Sequence, residues 1–365
     1  MRVLVVNAGS SSLKLRVLDP DDRLVGSSDL PALAKGSDQS AMADAVRGFG
    51  PLDAVGHRIV HGGTTFTGPV RIDDDVESRL RALADLAPLH QPKSLAALDA
   101  VHAVLPRLPA VACFDTAFHA SLPAAAATYA IPREWRERWA VRRYGFHGLS
   151  HAYAARRAAE LLGRSAAGLR VVTCHLGAGA SLAAVADGRS VDTTMGFTPL
   201  EGLVMATRSG TVDPGLVLWL ERHAGIPSDE LELALEHRSG LQGLAGSADM
   251  REVLAAIGAG DTTARLALDV YVHRVRAGIA SMAAAMGGVD AVVFTGGVGE
   301  NAWEVRRLVA QGLRFLGVEV DSGANVTSSL SDRDISVRDA VVRTLVVAAR
   351  EDLQIAREVR QVLGP

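Results

Sequence analysis

At 365 residues the chain exceeds the roughly 250–300 at which a single hydrophobic core stops growing, so two domains are expected. Its composition, 48% hydrophobic and 22% charged with net charge −3, is that of a soluble globular protein. There is no basic excess for nucleic acid, no apolar run near the ~18 residues of a membrane span, and no basic leader typical of a signal peptide. Cys113 and Cys174 end apolar runs and read as small core residues in a reducing cytoplasm.

In chain order, residues 3–6 (VLVV) read as a buried strand, 7–12 (NAGSSS) as a Gly/Ser turn and 13–17 as the returning strand. Residues 52–60 read as a strand leading into His61-Gly62-Gly63. The stretch 74–105 is helical in pattern, with an interruption at 88–92 (PLHQP). Residues 110–114 form a short buried strand with Asp115 at its C-terminal end, where ligands of α/β sheets collect. A charged helix is expected over 133–143, and another over 151–162 with Ser150 as N-cap. Then comes the stretch around which the chain is organised: a strand at 171–172, the turn 175–181 (HLGAGAS), an apolar return and a second turn at Asp187-Gly188. Residues 195–210 read as a long loop, and Asp213-Pro214 as a helix start. A long helix over 262–286, a buried strand at 291–294, a Gly-rich loop at 296–301 and a helix over 303–316 follow. A strand at 344–347 and a closing helix over 351–362 end the chain. Strands alternating with helices give an α/β protein.

Three Gly/Ser turns, at 7–12, 175–181 and 296–301, each follow an apolar strand. Glycine admits backbone N–H groups to an anion that a Cβ would keep away, so nucleotide phosphate binding is expected. Ser12-Leu13 recurs as Ser181-Leu182 about half a chain later, which implies a duplicated fold with a cleft between the halves. None of the turns fits GxxxxGK[ST] and no strand–GxGxxG–helix unit occurs, which excludes a P-loop NTPase and a dinucleotide fold. Arg58 and Arg208 sit beside such turns, and arginine offers a planar fork for carboxylate or phosphoryl oxygens. Each alone fits a structural ion pair equally. His147 could donate to a phosphoryl oxygen or serve the fold. His57, His61, His90, His119 and His151 show no metal-ligand spacing, so no zinc is assigned. Asn7, Asp115 and Glu351 are hard oxygen donors at element ends, suited to Mg²⁺ beside a polyphosphate or to plain capping.

The motifs NAGSSSLKL (7–15), HRIVHGG (57–63), FDTAFH (114–119), YGFHGLSH (144–151), HLGAGAS (175–181), DTTMGFTPLEG (192–202), TRSG (207–210) and FTGGVGEN (294–301) run in order over nearly the whole chain. Together they resemble the acetate kinase family of the acetate and sugar kinase/actin-like ATPase superfamily. The resemblance implies two duplicated actin-like (ribonuclease H-like) α/β domains, each with a mixed five-stranded sheet, over a nucleotide cleft. The expected domains are 1–118 plus 350–365, and 119–349. It implies ATP + acetate ⇌ ADP + acetyl phosphate with Mg²⁺, or Mn²⁺ in its place, in a cytoplasmic homodimer that binds neither nucleic acid nor membrane. Carried over, Asp115, His147 and Arg208 are catalytic, with His147 and Arg208 stabilising the transition state and Arg58 and Arg208 holding the carboxylate and the phosphoryl group. Asn7 and Glu351 are the metal ligands and Lys14 lies near ATP. His175, Leu176, Gly177, Ala178 and Gly179, then Asp249, Met250 and Arg251, then Gly296, Gly297, Val298, Gly299 and Glu300 line the nucleotide. Val60, Leu89, Phe146 and Pro199 match the family's apolar pocket for the acyl methyl.

A carboxylate nucleophile, with pKa ~4–5, is already ionised at pH 7, so no general base is needed. Asp115, to which the family gives a proton-handling role, therefore reads better as an orienting or Mg²⁺-associated group. The chain departs from the family at Ala178 (commonly Asn), Ala206 (Gly), Gln91 (Asn), Leu149 (Thr) and Ala348-Ala349-Arg350 (Pro-Thr and a short polar residue). Two alternatives stand beside acetate kinase. A propionate or butyrate kinase differs by a roomier pocket, and a non-kinase actin-like ATPase would leave Arg58, His147 and Arg208 without a job.

Overall fold

The computed structural model describes residues 1–9, 12–31, 40–84, 91–327 and 331–364. The first sheet contains β1 (Val3–Ala8), β2 (Ser12–Leu18), β3 (Leu24–Pro31), β4 (Ala54–Ile59), β5 (Val70–Arg71) and β6 (Ala110–Phe114), in the order β3-β2-β1-β4-β6-β5. The second contains β7 (Arg170–Leu176), β8 (Ala180–Ala186), β9 (Arg189–Thr193), β10 (Ala291–Thr295), β11 (Arg333–Asp334) and β12 (Arg343–Val346), in the order β11-β12-β10-β7-β8-β9. Strand for strand, the second repeats the first. Each has an antiparallel three-stranded meander, then two parallel strands, then a two-residue antiparallel strand at the far edge. The duplication implied by Ser12 and Ser181 is thus real, with both serines at the start of the second strand of a meander. Each sheet has six strands rather than the expected five, because Val70–Arg71 and Arg333–Asp334 are too short to leave a periodic signal.

The chain divides into two compact units, Met1–Ala120 with Phe146–Tyr153 and Arg350–Pro365, and Ser121–Gly145 with Ala154–Ala349. Segment 146–153, placed by sequence in the second domain, belongs to the first unit. In that unit helix Gln91–Val104 covers one sheet face over Leu4, Val6, Leu15 and Val55, and helix Glu351–Leu363 covers the other over Val3, Val5 and Ala54. The closing helix lies directly on β4. A Cβ at Gly56 would come within 2.5 Å of Ile355 Cγ2 and 2.7 Å of Val359 Cγ2. In the second unit the long helix Thr262–Ala285 buries Tyr271, Val275 and Ile279, and Gly278 gives room to Leu182 of β8. Cys113 and Cys174 are buried free thiols. Among the described residues no helix is long and apolar enough to cross a membrane.

Several element ends differ from the pattern. The helix expected from residue 151 begins at Gly148, so Ser150 lies inside it, buried, and is not its N-cap. Its start is set by tertiary structure: the Gly148 N–H donates to the Asp115 carbonyl at 2.9 Å, and His147 adopts φ 56°. The helix expected over 133–143 stops at Trp139, where Ala140 turns left-handed at φ 50°. Residues 296–301, expected as a loop, form the helical turn Gly296–Asn301, and the helix after it ends at Gln311. The helical pattern 74–105 resolves into Asp74–Ala82 and Gln91–Val104, with residues 85–90 outside those described.

Overpacking at a helix–strand contact made of stiff β-branched methyls costs ~1–3 kcal/mol. Gly56→Ala is therefore expected to lower the urea midpoint, and a midpoint equal to the parent's would contradict the tight seating of the closing helix.

Candidate active site

The first unit gathers four sequence-predicted residues at one end of its sheet. Arg58 lies near the end of β4, on the side opposite its buried neighbours His57 and Ile59. Its Nε donates to both Asp115 oxygens at 3.1 Å, its Nη2 donates to Asp115 Oδ2 at 2.6 Å, and its Nη1 donates to Asn7 Oδ1 at 3.0 Å. Asn7 Nδ2 donates to Glu351 Oε2 at 2.7 Å, and Glu351 lies 3.8 Å from Arg58 Nη1. The Asp115 side chain is 1% exposed and that of Arg58 14%. Burial alone would lower the guanidinium pKa, but the charges of Asp115 and Glu351 outweigh it and hold Arg58 above its ordinary value. Burial pushes the Asp115 carboxyl upward, with Glu351 adding to the rise and Arg58 opposing it. The arginine fork thus stays charged and aimed. Lys14 lies directly opposite Asn7 in the β1–β2 register and shares its face, exposed.

Asp115 also acts through its backbone. Its N–H donates to the Ile59 carbonyl at 3.0 Å and its carbonyl accepts from Gly148. Only glycine fits there, since a Cβ at 148 would stand 2.1 Å from the Asp115 oxygen. His147, immediately before, is held in a left-handed conformation that costs a non-glycine residue ~1–3 kcal/mol, the kind of strain that clusters at functional sites. Phe146 is 2% exposed, meets His61 edge-on at 5.5 Å and has its carbonyl 3.0 Å from His119 Nε2. Val60 is buried nearby in sequence, whereas Leu89 lies outside the described residues.

In the second unit Arg208 Nε sits 2.8 Å from Glu236 Oε2, and its Nη1 donates to the Pro199 carbonyl at 3.4 Å. Glu236, at the end of helix Ser228–His237, was missed by sequence reasoning; the one signal for it was that a buried Arg208 needs a carboxylate partner. The loop bearing Arg208 is stitched to the helix after it: Leu241 N–H donates to the Met205 carbonyl and Ser239 N–H to the Thr207 carbonyl. Ala206 N–H donates to the Ala178 carbonyl at 3.1 Å, so two departures from the family pattern touch each other and are joined through backbone alone. The β7–β8 turn carries Gly177 and Gly179, with Leu176 and Ala180 buried beneath. Gly296, at φ 78°, packs against it, since a Cβ there would lie 2.9 Å from the Leu176 oxygen. Segments 175–179, 296–300 and 205–208 are therefore contiguous. The Glu300 carboxylate turns back into its own unit, accepting from the Gly296 and Ala349 N–H groups at 2.9 Å. Asp249 caps the helix Met250–Gly258 and pairs with Arg251, which is well exposed.

The oxygen donors at Asn7, Asp115 and Glu351 are of the hard kind that Mg²⁺ takes, usually one or two carboxylates with waters and substrate phosphates completing the shell. Both Asp115 oxygens and Asn7 Oδ1 accept from Arg58, so Glu351, bonded to the Asn7 amide, is the carboxylate placed to meet that requirement.

The acetokinase family profile matches residues 33–357. The chain belongs to the acetokinase family. It is 51% identical over 314 residues to the acetate kinase of Gloeobacter violaceus, covering 86% of this chain and 77% of that one. It is 44% identical to that of Streptomyces griseus, covering 100% and 96%. Its fold is similar to the crystal structure of Porphyromonas gingivalis acetate kinase, with TM-score 0.91, 36% identity and 99% of both chains covered. It is similar also to a propionate kinase from Francisella tularensis, with TM-score 0.90, 35% identity and coverage of 99% and 100%. As a member of that family the chain is an acetate kinase, a phosphotransferase with ATP and ADP as cosubstrates. The non-kinase alternative is not favoured.

Around this site the imidazoles of His57, His61, His119 and His151 are buried. Burial lowers His57, His61 and His119 from 6.5 to about 4, with His102 adding to the effect at His57 and the Phe146 backbone opposing it at His119. The folded state thus binds fewer protons than the unfolded between those values. Their stabilisation is complete above pH 6.5 and is lost as pH falls toward 4, at ~1.4 kcal/mol per pH unit per histidine. Urea midpoints are expected to drop steeply between pH 6.5 and 4.5; a flat profile would contradict neutral burial.

Proposed function

We propose that the chain transfers the γ-phosphoryl of ATP in line to acetate, reversibly, with Arg58 and Arg208 as the two charge-neutralising forks. The observation that carries this reading is that each arginine is oriented by a buried carboxylate, Asp115 in one unit and Glu236 in the other. A carboxylate oxygen of acetate forms the new P–O bond as the bond to ADP breaks, and no proton moves, because acetate is already ionised. Catalysis then consists of holding the partners and matching the charge on the equatorial oxygens. Arg58 binds the carboxylate, Arg208 and His147 meet the phosphoryl group in transfer, and Lys14 attracts the polyphosphate. Val60 and Phe146 would meet the methyl, with Leu89 and Pro199 as further members by resemblance. Segments 175–179, 249–251 and 296–300 line the nucleotide. Asn7 and Glu351 would hold Mg²⁺, which when bound offsets phosphate charge; Mn²⁺ would serve by the same oxygen chemistry.

The same reading makes the chain a cytoplasmic homodimer. Helix Pro214–His223 buries none of its residues and exposes Leu216, Leu218 and Trp219 at 46%, 49% and 53%, apolar surface suited to a second copy.

Hydroxylamine trapping with ATP and Mg²⁺ is expected to form acetyl hydroxamate faster than the propionyl or butyryl products. ATP hydrolysis without any hydroxamate would overturn the kinase reading. Arg208→Ala should lower kcat by ~10³–10⁵ with a much smaller change in KM for acetate, as transition-state arginines do. A change confined to KM would remove Arg208 from the transferring group.

A further inference from the structure

The loop at 194–202 buries Met195 and Pro199 and is held besides by a polar clamp of Tyr129, Arg143 and Glu201. Tyr129 Oη donates to Glu201 Oε2 and accepts from the Phe197 N–H at 2.9 Å. Arg143 Nη2 donates to Glu201 Oε1 at 2.7 Å, while its Nη1 donates to the carbonyls of Thr194 at 3.2 Å and Met195 at 3.0 Å. The Gly196 carbonyl accepts from the N–H groups of Tyr144 and Gly145. The clamp closes so tightly over Gly196 that a Cβ there would lie 1.7 Å from Glu201 Oε2 and 2.1 Å from Tyr129 Oη. The Arg143 guanidinium also stacks over the Tyr129 ring at 5.5 Å. Beyond the clamped segment lies buried Pro199, whose carbonyl reaches Arg208.

We propose that Tyr129, Arg143 and Glu201 are positioning residues that set the acyl-length selectivity of the enzyme by fixing the Gly196–Pro199 wall. The inference rests on the reading of Pro199 as part of the acyl pocket. A pocket rejects one extra methylene by only about 10- to 200-fold, so a wall that yields by a fraction of a methylene erodes most of that discrimination. A wall held by charge-assisted bonds is stiffer than one held by apolar contact, because those bonds are directional and roughly twice as strong as neutral ones. Removing the Tyr129 hydroxyl leaves the Phe197 N–H without its acceptor and Glu201 without one donor, and keeps the ring beneath Arg143.

The test is kcat/KM for acetate and for propionate in the parent, Tyr129→Phe, Glu201→Gln and, as a direct probe of the pocket, Val60→Ala, with thermal midpoints measured in parallel. Tyr129→Phe and Glu201→Gln are expected to raise the propionate-to-acetate ratio about fivefold or more, while a merely structural role would lower both activities alike. A ratio within twofold of the parent in both clamp variants, with Val60→Ala shifting it, overturns the clamp and leaves the pocket standing. No shift in any variant overturns the clamp and the pocket reading together. Should Glu201→Gln fail to fold, Tyr129→Phe decides.

Discussion

In the first unit the proposed site depends on Asp115. Its carboxylate holds the Arg58 fork through Nε and Nη2, and its carbonyl holds the Gly148 N–H, which sets the turn carrying His147. One residue at the end of one strand thus fixes two donors that arrive from distant parts of the chain. A buried carboxylate is costly unless paired, and breaking such a pair from one side costs ~3–5 kcal/mol, so the arrangement is stiff before substrate arrives. Preorganisation of this kind is what phosphoryl transfer requires of a protein, because little covalent chemistry is left for its side chains.

The second unit solves the same problem by different residues. Glu236 orients Arg208, and backbone bonds tie its loop to the β7–β8 turn and to the helix beginning at Gly240. The duplicated sheets deliver a turn at equivalent places after β1 and β7, yet the side chains grafted on them differ: Asn7 and Arg58 in one, backbone and glycine in the other. Ala178 and Ala206 meet through their main chains, which explains how the departure of both side chains leaves the loop geometry in place.

Much of this was legible in the sequence. The two meanders showed as apolar runs broken by Gly/Ser turns, and the recurrence of Ser12-Leu13 as Ser181-Leu182 announced the repeat. Arg58 and Arg208 stood out because an arginine beside a glycine turn has no helix face to serve. What stayed hidden depends on contacts between residues far apart in the chain. Ser150 looked like a cap because Ser before a helical stretch usually is one; the true start needed the Asp115 carbonyl, more than thirty positions earlier. Glu236 and Glu201 were invisible for the same reason: an acid in a helix or loop carries no sign that it will pair with one distant arginine. The two-residue strands left no period to read. The helical turn Gly296–Asn301, with three glycines in six residues, goes against propensity and is held by Glu300 and by buried Arg306, whose guanidinium donates to the carbonyls of Gly299 and Glu300.

The account stands or falls on Asp115 acting by position and not by moving a proton. The measurement is the pH dependence of kcat/KM for acetate in Asp115→Asn beside the parent, with a check by circular dichroism that the helix from Gly148 persists. Loss of orientation predicts a fall of about 10²-fold with the shape of the profile unchanged. A profile that loses one limb, as when an essential acid or base has been removed, would contradict it.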